Sequence, residues 1–251
     1  MKANEFKVEN LGNGIQCQIS KEHCFGTDAM LLENFAMVKA KDICCDLGTG
    51  CGIIPLLMAR DGAKYITAVE IQLQGINQLL ESIKLSGLKN IITPVHSDLK
   101  ELKGKVPFGI FDLVTMNPPY TAIGSGILSV NESDKFARHE NACKFEDICE
   151  CASHLLKYGG RLCMCLRPHR LCELFKAMNK FNIEPKRIRQ VAKSAGNPPW
   201  LILVEGRLGG KSGLIIESEM HIYSSDGNYS EEMEKIYAPY SNKGKYNEAD
   251  S

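Results

Sequence analysis

The chain has 251 residues, is 44% hydrophobic and 24% charged, and sets 30 Lys+Arg against 30 Asp+Glu for a formal net charge of zero. At this length a chain buries roughly three quarters of its extended surface, so it suits one globular domain without metal or disulfide staples, and its composition excludes a disordered or collagenous protein. No apolar run reaches the ~20 residues that span a bilayer, and the start MKANEFKVEN lacks a basic-then-apolar leader, so a soluble, cytoplasmic protein is expected.

Residues 1–42 read as an N-terminal lead with a helical segment near Ala29 to Val38. From residue 43, short β-rich apolar runs alternate with longer helical patterns, the signature of a parallel α/β sheet. The predicted strands are Ile43 to Leu47, Tyr65 to Ile71, Ile91 to Val95, Phe111 to Met116 and Gly160 to Leu166. Helical stretches such as Gly52 to Asp61 and Gln72 to Ser86 lie between them, the second stopped by Gly87 in the manner of a C-cap. Arg187 to Ala192 and Trp200 to Glu205 are separated by SAGNPP, a hairpin-like connection. Five parallel units and this closing antiparallel pair predict a seven-stranded sheet within a domain over residues 43–240. Residues 121–145 form a long polar insertion, and residues 241–251 a polar, frayed tail.

Eleven cysteines in a long chain without a leader point to a reducing compartment. Cys44, Cys45, Cys163 and Cys165 lie in apolar runs and read as small hydrophobes. The Cys149-Glu150-Cys151 pair lacks the further ligands a zinc site needs, so no metal is expected.

Zero net charge conceals segregation. Residues 155–211 carry 12 Lys+Arg and 3 Asp+Glu, whereas residues 1–154 carry 15 and 19 and residues 212–251 carry 3 and 8. That asymmetry fits a basic face that meets phosphate, with Arg161, Arg167, Arg170, Lys186, Arg187, Arg189 and Lys193 as candidates.

The first strand of the alternation ends in Asp46-Leu47-Gly48-Thr49-Gly50-Cys51-Gly52 and runs into a helix. Glycines there let a ligand lie close over the carboxyl end of the strand, where open α/β sheets bind. Glu70 ends the second strand, placed to accept hydrogen bonds from ribose hydroxyls, and Asp98 follows the third, placed to contact an adenine. The GxGxG spacing departs from the GxGxxG dinucleotide fingerprint. These residues resemble the Rossmann-like methyltransferases that use S-adenosylmethionine; the resemblance implies that Asp46, Gly48 and Gly50 cradle the amino-acid part of the cofactor, Glu70 its ribose and Asp98 its adenine.

The fourth strand stops at Asn117-Pro118-Pro119-Tyr120. Successive prolines end the ladder in a stiff turn that holds the Asn117 side chain and the Pro118 carbonyl as acceptors beside the crevice. Such a pair suits a planar exocyclic amine, whose delocalised lone pair attacks a methyl group poorly until its N–H bonds are gripped. Tyr120 would stack on the flat substrate, which in a folded nucleic acid must be turned out. The tetrapeptide resembles the (D/N/S)PP(Y/F) motif of amino-methyltransferases acting on adenine, guanine or glutamine nitrogen.

Phe25-Gly26-Thr27-Asp28-Ala29, then DLGTGCG, NPPY and the Ala137-Arg138-His139-Glu140 stretch, occur in that order. The chain thereby resembles the bacterial valine-tRNA adenosine-37 N6-methyltransferases over about residues 5–240. The resemblance implies that Gly26, Thr27 and Asp28 belong to a segment closing over the cofactor, that tRNA is the substrate partner, and that Arg138 and His139 position substrate. It names no obligate protein partner. An arginine-containing stretch common before FGTDA in that family is replaced by His23-Cys24. The alternatives are a protein glutamine N5-methyltransferase, which normally carries a helical domain before the cofactor fold, an amino-methyltransferase of rRNA or DNA, and an RNA-binding module without activity.

Overall fold

A computed structural model describes residues 6–21, 23–118 and 144–240. The N-terminal lead opens with a hairpin absent from the sequence reading, β1 (Lys7–Gly12) and β2 (Ile15–Ile19). Asn13 and Gly14 turn it with φ of 50° and 78°, the left-handed pair of a two-residue type I′ loop. β2 docks on helix α3 (Leu73–Leu85) through a row spaced four apart: Gln78 Nε2 donates to Gln18 O, Ser82 Oγ accepts from Gln18 N, and Ser86 Oγ accepts from Gln16 N.

The main sheet contains β3 (Ile43–Leu47), β4 (Tyr65–Glu70), β5 (Ile92–His96), β6 (Phe111–Met116), β7 (Leu156–Leu166), β8 (Ile183–Ala192) and β9 (Leu201–Leu208), in the order β5-β4-β3-β6-β7-β9-β8. Two strands of two residues each, β10 (Ile215–Ile216) and β11 (Met220–His221), lie parallel along β8, so the described residues put nine strands in the sheet where seven were expected. The closing pair is antiparallel, as expected, with β9 as the reversed closing strand. β8 runs parallel to β3–β7, and β9 alone is reversed, folded back between β7 and β8 and antiparallel to both.

Both faces of the sheet are covered, which is why its strands read as continuous apolar runs. Cys44 faces the core shared with α1 (Thr27–Ala36), α2 (Ile53–Arg60), α3 and α6 (Glu231–Tyr237), while its neighbour Cys45 faces the core shared with α4 (Phe145–Leu155) and α5 (Leu171–Lys180). The alternation of β-strands places side chains on opposite faces residue by residue.

The excess arginines of residues 155–211 serve this packing. Arg161 donates to Ala36 O and pairs with Asp42 and Glu205; Arg187 donates to Phe35 O, lies 4.1 Å over the Phe35 ring, and pairs with Glu205 and Glu217. Two guanidinium groups thus satisfy the last carbonyls of α1, where cations are favoured. Arg189 pairs with Glu232 of α6, Arg170 with Glu173, and the Lys186 ammonium donates to Lys211 O. Several of the candidates for a basic face thus spend their charge on internal carboxylates and carbonyls. Lys193 is exposed and makes no ion pair among the described residues.

Candidate active site

The strand order reverses at β3, with β4 and β5 to one side and β6 to the other, and such switch points are where open α/β sheets bind ligands. A cavity of about 390 Å³ lies there, lined by Gly26 and Asp28 at the start of α1, Gly48, Thr49 and Gly50 after β3, Glu70, Ile71 and Gln72 after β4, Ser97, Asp98 and Leu99 after β5, and Met116 and Asn117 after β6. Seven of the expected residues thus converge on one wall: Gly26, Asp28, Gly48, Gly50, Glu70, Asp98 and Asn117.

Gly48 and Gly50 have φ of 65° and 56°, and a Cβ on Gly50 would meet nothing within 4 Å. The turn bares its backbone to the cavity. Its shape is held by Glu70, whose Oε2 accepts from Gly50 N and Oε1 from Gln72 N, each at 2.8 Å. A carboxylate has about four acceptor positions, so Glu70 can brace the turn and still receive two hydroxyls. Helix α3 closes in from behind: a Cβ on Gly75 would sit 2.6 Å from Gly50 O and 3.0 Å from Glu70 Cγ. Asp98 accepts from Lys100 N at 2.9 Å and so caps the turn Leu99–Glu101, while Ile71, 59% exposed, offers an apolar wall beside it.

Asp46 lies beneath the cavity floor, 1% exposed. Its Oδ1 accepts from Thr115 Oγ1 at 2.6 Å, a bond set by the parallel register that pairs residues 46 and 115. Burial pushes its pKa up to about 7, against the pull of the Thr115 hydroxyl. Asp46 Oδ2 and Thr49 Oγ1 are buried without a hydrogen-bond partner among the described residues. Thr27 does not line the cavity; its hydroxyl bonds that of Tyr237 at 3.1 Å.

Asn117 is the best-oriented polar group at the carboxyl end of β6. Its Nδ2 donates to Asp28 Oδ2 at 3.2 Å, and its Oδ1 accepts from the Cys165 thiol at 3.1 Å. A donor on one side and an acceptor on the other assign the amide unambiguously. Pro118 follows it, buried. Pro119, Tyr120, Arg138 and His139 lie outside the described residues.

Cys165, Thr115, Thr49 and Gly75 were not singled out in the sequence. Thr115 and Asp46 each stand one residue before the end of adjacent strands, which was a usable signal. The other three contacts are tertiary.

The donor set fits S-adenosylmethionine. Four carboxyl groups in or under one cavity suit a ligand bearing a sulfonium and an ammonium, and Asp46 Oδ2 and Thr49 Oγ1 supply acceptors that no described residue uses. The methyltransferase small domain profile matches residues 20–192. The chain belongs to that family. It is 28% identical over 208 residues to a tRNA1(Val) (adenine(37)-N6)-methyltransferase of Flavobacterium psychrophilum, covering 80% of this chain and 87% of the relative. It is 27% identical over 226 residues to the protein of the same name from Haemophilus influenzae, covering 88% and 94%. In three dimensions it is similar to a predicted O-methyltransferase of Agrobacterium tumefaciens, with a TM-score of 0.68, 20% identity and coverage of 85% and 96%. It is also similar to M. jannaschii TYW2 in complex with AdoMet, with a TM-score of 0.54, 14% identity and coverage of 82% and 87%. The expected methyltransferase fold, activity class and S-adenosylmethionine cofactor agree with these comparisons.

Proposed function

We propose that this methyltransferase family member N6-methylates an adenosine of tRNA, position 37 of a valine tRNA, in the cytoplasm. The observation that carries the reading is Asn117, held by Asp28 and Cys165 at the mouth of the cavity that the glycine turn forms. Two relatives named for that reaction, each covered over most of its length, support the substrate.

S-adenosylmethionine, when bound, supplies an electrophilic methyl on sulfur. The chain's own residues do the rest. Glu70 and Asp98 orient the nucleoside end, and the backbone of Gly48 to Gly50 admits the amino-acid end. The Asn117 amide oxygen keeps a lone pair beyond the Cys165 contact and, with the Pro118 carbonyl, accepts the N–H bonds of the incoming amine. That grip favours a tetrahedral nitrogen and so stabilises the transition state more than the flat ground state. Fixed geometry supplies a second share of the acceleration. No strong general base is needed, because the amine proton can leave after transfer.

The test is incubation with labelled S-adenosylmethionine and either total tRNA or total protein, followed by mass spectrometry of nucleosides and peptides. N6-methyladenosine in valine tRNA, lost when adenosine 37 is replaced, is the expected product. Methylglutamine in a protein, with unlabelled tRNA, would overturn the reading.

A further inference from the structure

A second cavity, of about 760 Å³, opens where β8 and β11 end, between residues 193–197 and 221–227. β8 runs parallel to β6 and β3, so this cavity lies on the same edge of the sheet as the active site. β6, β7, β9 and β8 are successive neighbours, and their register sets Asn117 level with Arg189; three strand spacings of ~4.8 Å across and four residues of ~3.3 Å along place Lys193 about 20 Å from Asn117.

The cavity is preformed. Its walls are joined by backbone bonds from Ile222 N to Ala192 O and from Tyr223 N to Lys193 O, and Ser194 and Asn197 bond each other across the loop. Lys193 provides an exposed cation with no ion pair among the described residues, unlike Arg161, Arg187 and Arg189 of the same basic segment. Ser194 and Asn197 add polar groups, and Tyr223 adds an aromatic face. Tyr223 stacks on Tyr229 at 5.5 Å between centroids, Tyr229 stacks on Tyr237 at 5.2 Å, and the Tyr237 hydroxyl bonds Thr27, the neighbour of Asp28. A tyrosine ladder therefore runs from this cavity to the residue that holds Asn117.

A cation beside an aromatic face is the composition that takes a nucleotide, phosphate on the lysine and base on the ring. We propose that this cavity is a subsite for a nucleotide flanking the methylated base, with Lys193 on its phosphate and Tyr223 against its base. The inference rests on the RNA reading of the active site and adds where the substrate strand runs: from Asn117 across the ends of β7 and β9 to the edge of β8. On the way it passes Arg167, whose guanidinium lies 5.3 Å over the Trp200 ring.

The test measures binding of a fluorescent anticodon stem-loop RNA to the full chain, and its methylation, over a series of salt concentrations. The wild type is compared with Lys193→Ala, Lys193→Arg, Tyr223→Ala and Tyr223→Phe. Lys193→Ala should raise the RNA Kd and KM, leave kcat and cofactor affinity unchanged, and flatten the slope of log Kd against log salt by about 0.7–1. Tyr223→Ala should weaken RNA binding about tenfold, whereas Lys193→Arg and Tyr223→Phe should bind as the wild type does. Because Tyr223 is partly buried, Lys193→Ala decides alone if Tyr223→Ala also loses cofactor affinity. Wild-type Kd and salt slope in Lys193→Ala, with the RNA methylated normally, would overturn the subsite and leave the proposed function standing. A wild type that neither binds nor methylates RNA would overturn both.

Discussion

Asn117 and Asp28 are separated by 88 residues of other structure, yet Nδ2 of the first donates to Oδ2 of the second across 3.2 Å. The bond ties the end of β6 to the first turn of α1. With the Cys165 thiol on the opposite side, it fixes which atom of the amide faces the cavity. Asp28 is thus a positioning residue as well as part of the cavity wall, and α1 couples the mouth of the site to the packing beneath it.

Asn117→Ala should abolish turnover while leaving S-adenosylmethionine affinity nearly intact. Asp28→Ala leaves Asn117 in place but unanchored, and kcat at saturating cofactor should fall by about 10- to 100-fold. Asp28→Asn can still offer a carbonyl to Asn117 Nδ2 and should recover most of that loss. Equal kcat values for Asp28→Ala and the wild type would show that the bond does not orient the amide during turnover.

Gly75→Ala should weaken cofactor binding without touching the ligand. In a helix interior this substitution ordinarily stabilises by up to ~1 kcal/mol, but here the new methyl meets Gly50 O at 2.6 Å and Glu70 Cγ at 3.0 Å. Backbone cannot yield as a side chain does, so the glycine turn and its carboxylate brace must shift. Calorimetry should show a Kd raised at least several-fold with an intact fold by circular dichroism; an unchanged Kd would mean that α3 moves instead.

Asp46 gives the cofactor site a pH dependence. Its folded pKa of about 7 lies above the ordinary carboxyl value of 3.8 because burial disfavours the anion. The folded chain therefore holds this proton between those values while the unfolded chain does not. Stability from this group falls as pH rises from about 4 to 7, and above that the buried anion opposes folding by on the order of 4 kcal/mol. A cationic ligand reverses the preference, so S-adenosylmethionine binding near pH 6.5 should release a proton, and its affinity should rise up to about pH 7.5. Calorimetry in buffers of different ionisation enthalpy counts that proton. Asp46→Asn should bind more weakly, release none, and melt higher than the wild type at pH 8 in the absence of ligand. Identical proton release in Asp46→Asn would assign the titration to another group.

The βα alternation was legible because each strand of a covered parallel sheet is a short apolar run bounded by turn residues, and β3 to β7 with α1, α2 and α3 begin or end within a few residues of expectation. The reversal of the last strand was legible in the hairpin-like connection, but the insertion of β9 between β7 and β8 was not. Apolar strands look alike wherever they sit in a sheet, and only their hydrogen-bond register distinguishes insertion between β7 and β8 from addition at the edge. The β1–β2 hairpin had a local signal in Gly12-Asn13-Gly14 that was passed over. In the site, the acids and glycines were legible because they end strands, whereas Cys165 was read as a hydrophobe and proved to be a donor to Asn117. Charge counting along the chain misses such contacts for a related reason: it adds arginines without their partners, and the partners of Arg161 and Arg187 come from α1, β9 and the segments beside them.

Arg187 separates those two meanings of a basic residue. Its side chain is 16% exposed, pairs with Glu205 and Glu217, and donates to the carbonyl of Phe35. Removing Arg187 leaves Glu205 to Arg161 alone, a smaller loss than the about 3–5 kcal/mol of a buried charge left with no partner, and it also strips a cap from the C-terminus of α1. Arg187→Ala should therefore lower the melting temperature by many degrees and loosen α1, so that cofactor affinity and kcat fall together. Adding Glu205→Ala to Arg187→Ala should not restore the stability, because Glu205 still pairs with Arg161. The slope of RNA affinity against salt should stay at the wild-type value, since Arg187 spends its charge inside the fold. A flattened salt slope in a stable Arg187→Ala protein would return this arginine to the RNA-facing surface.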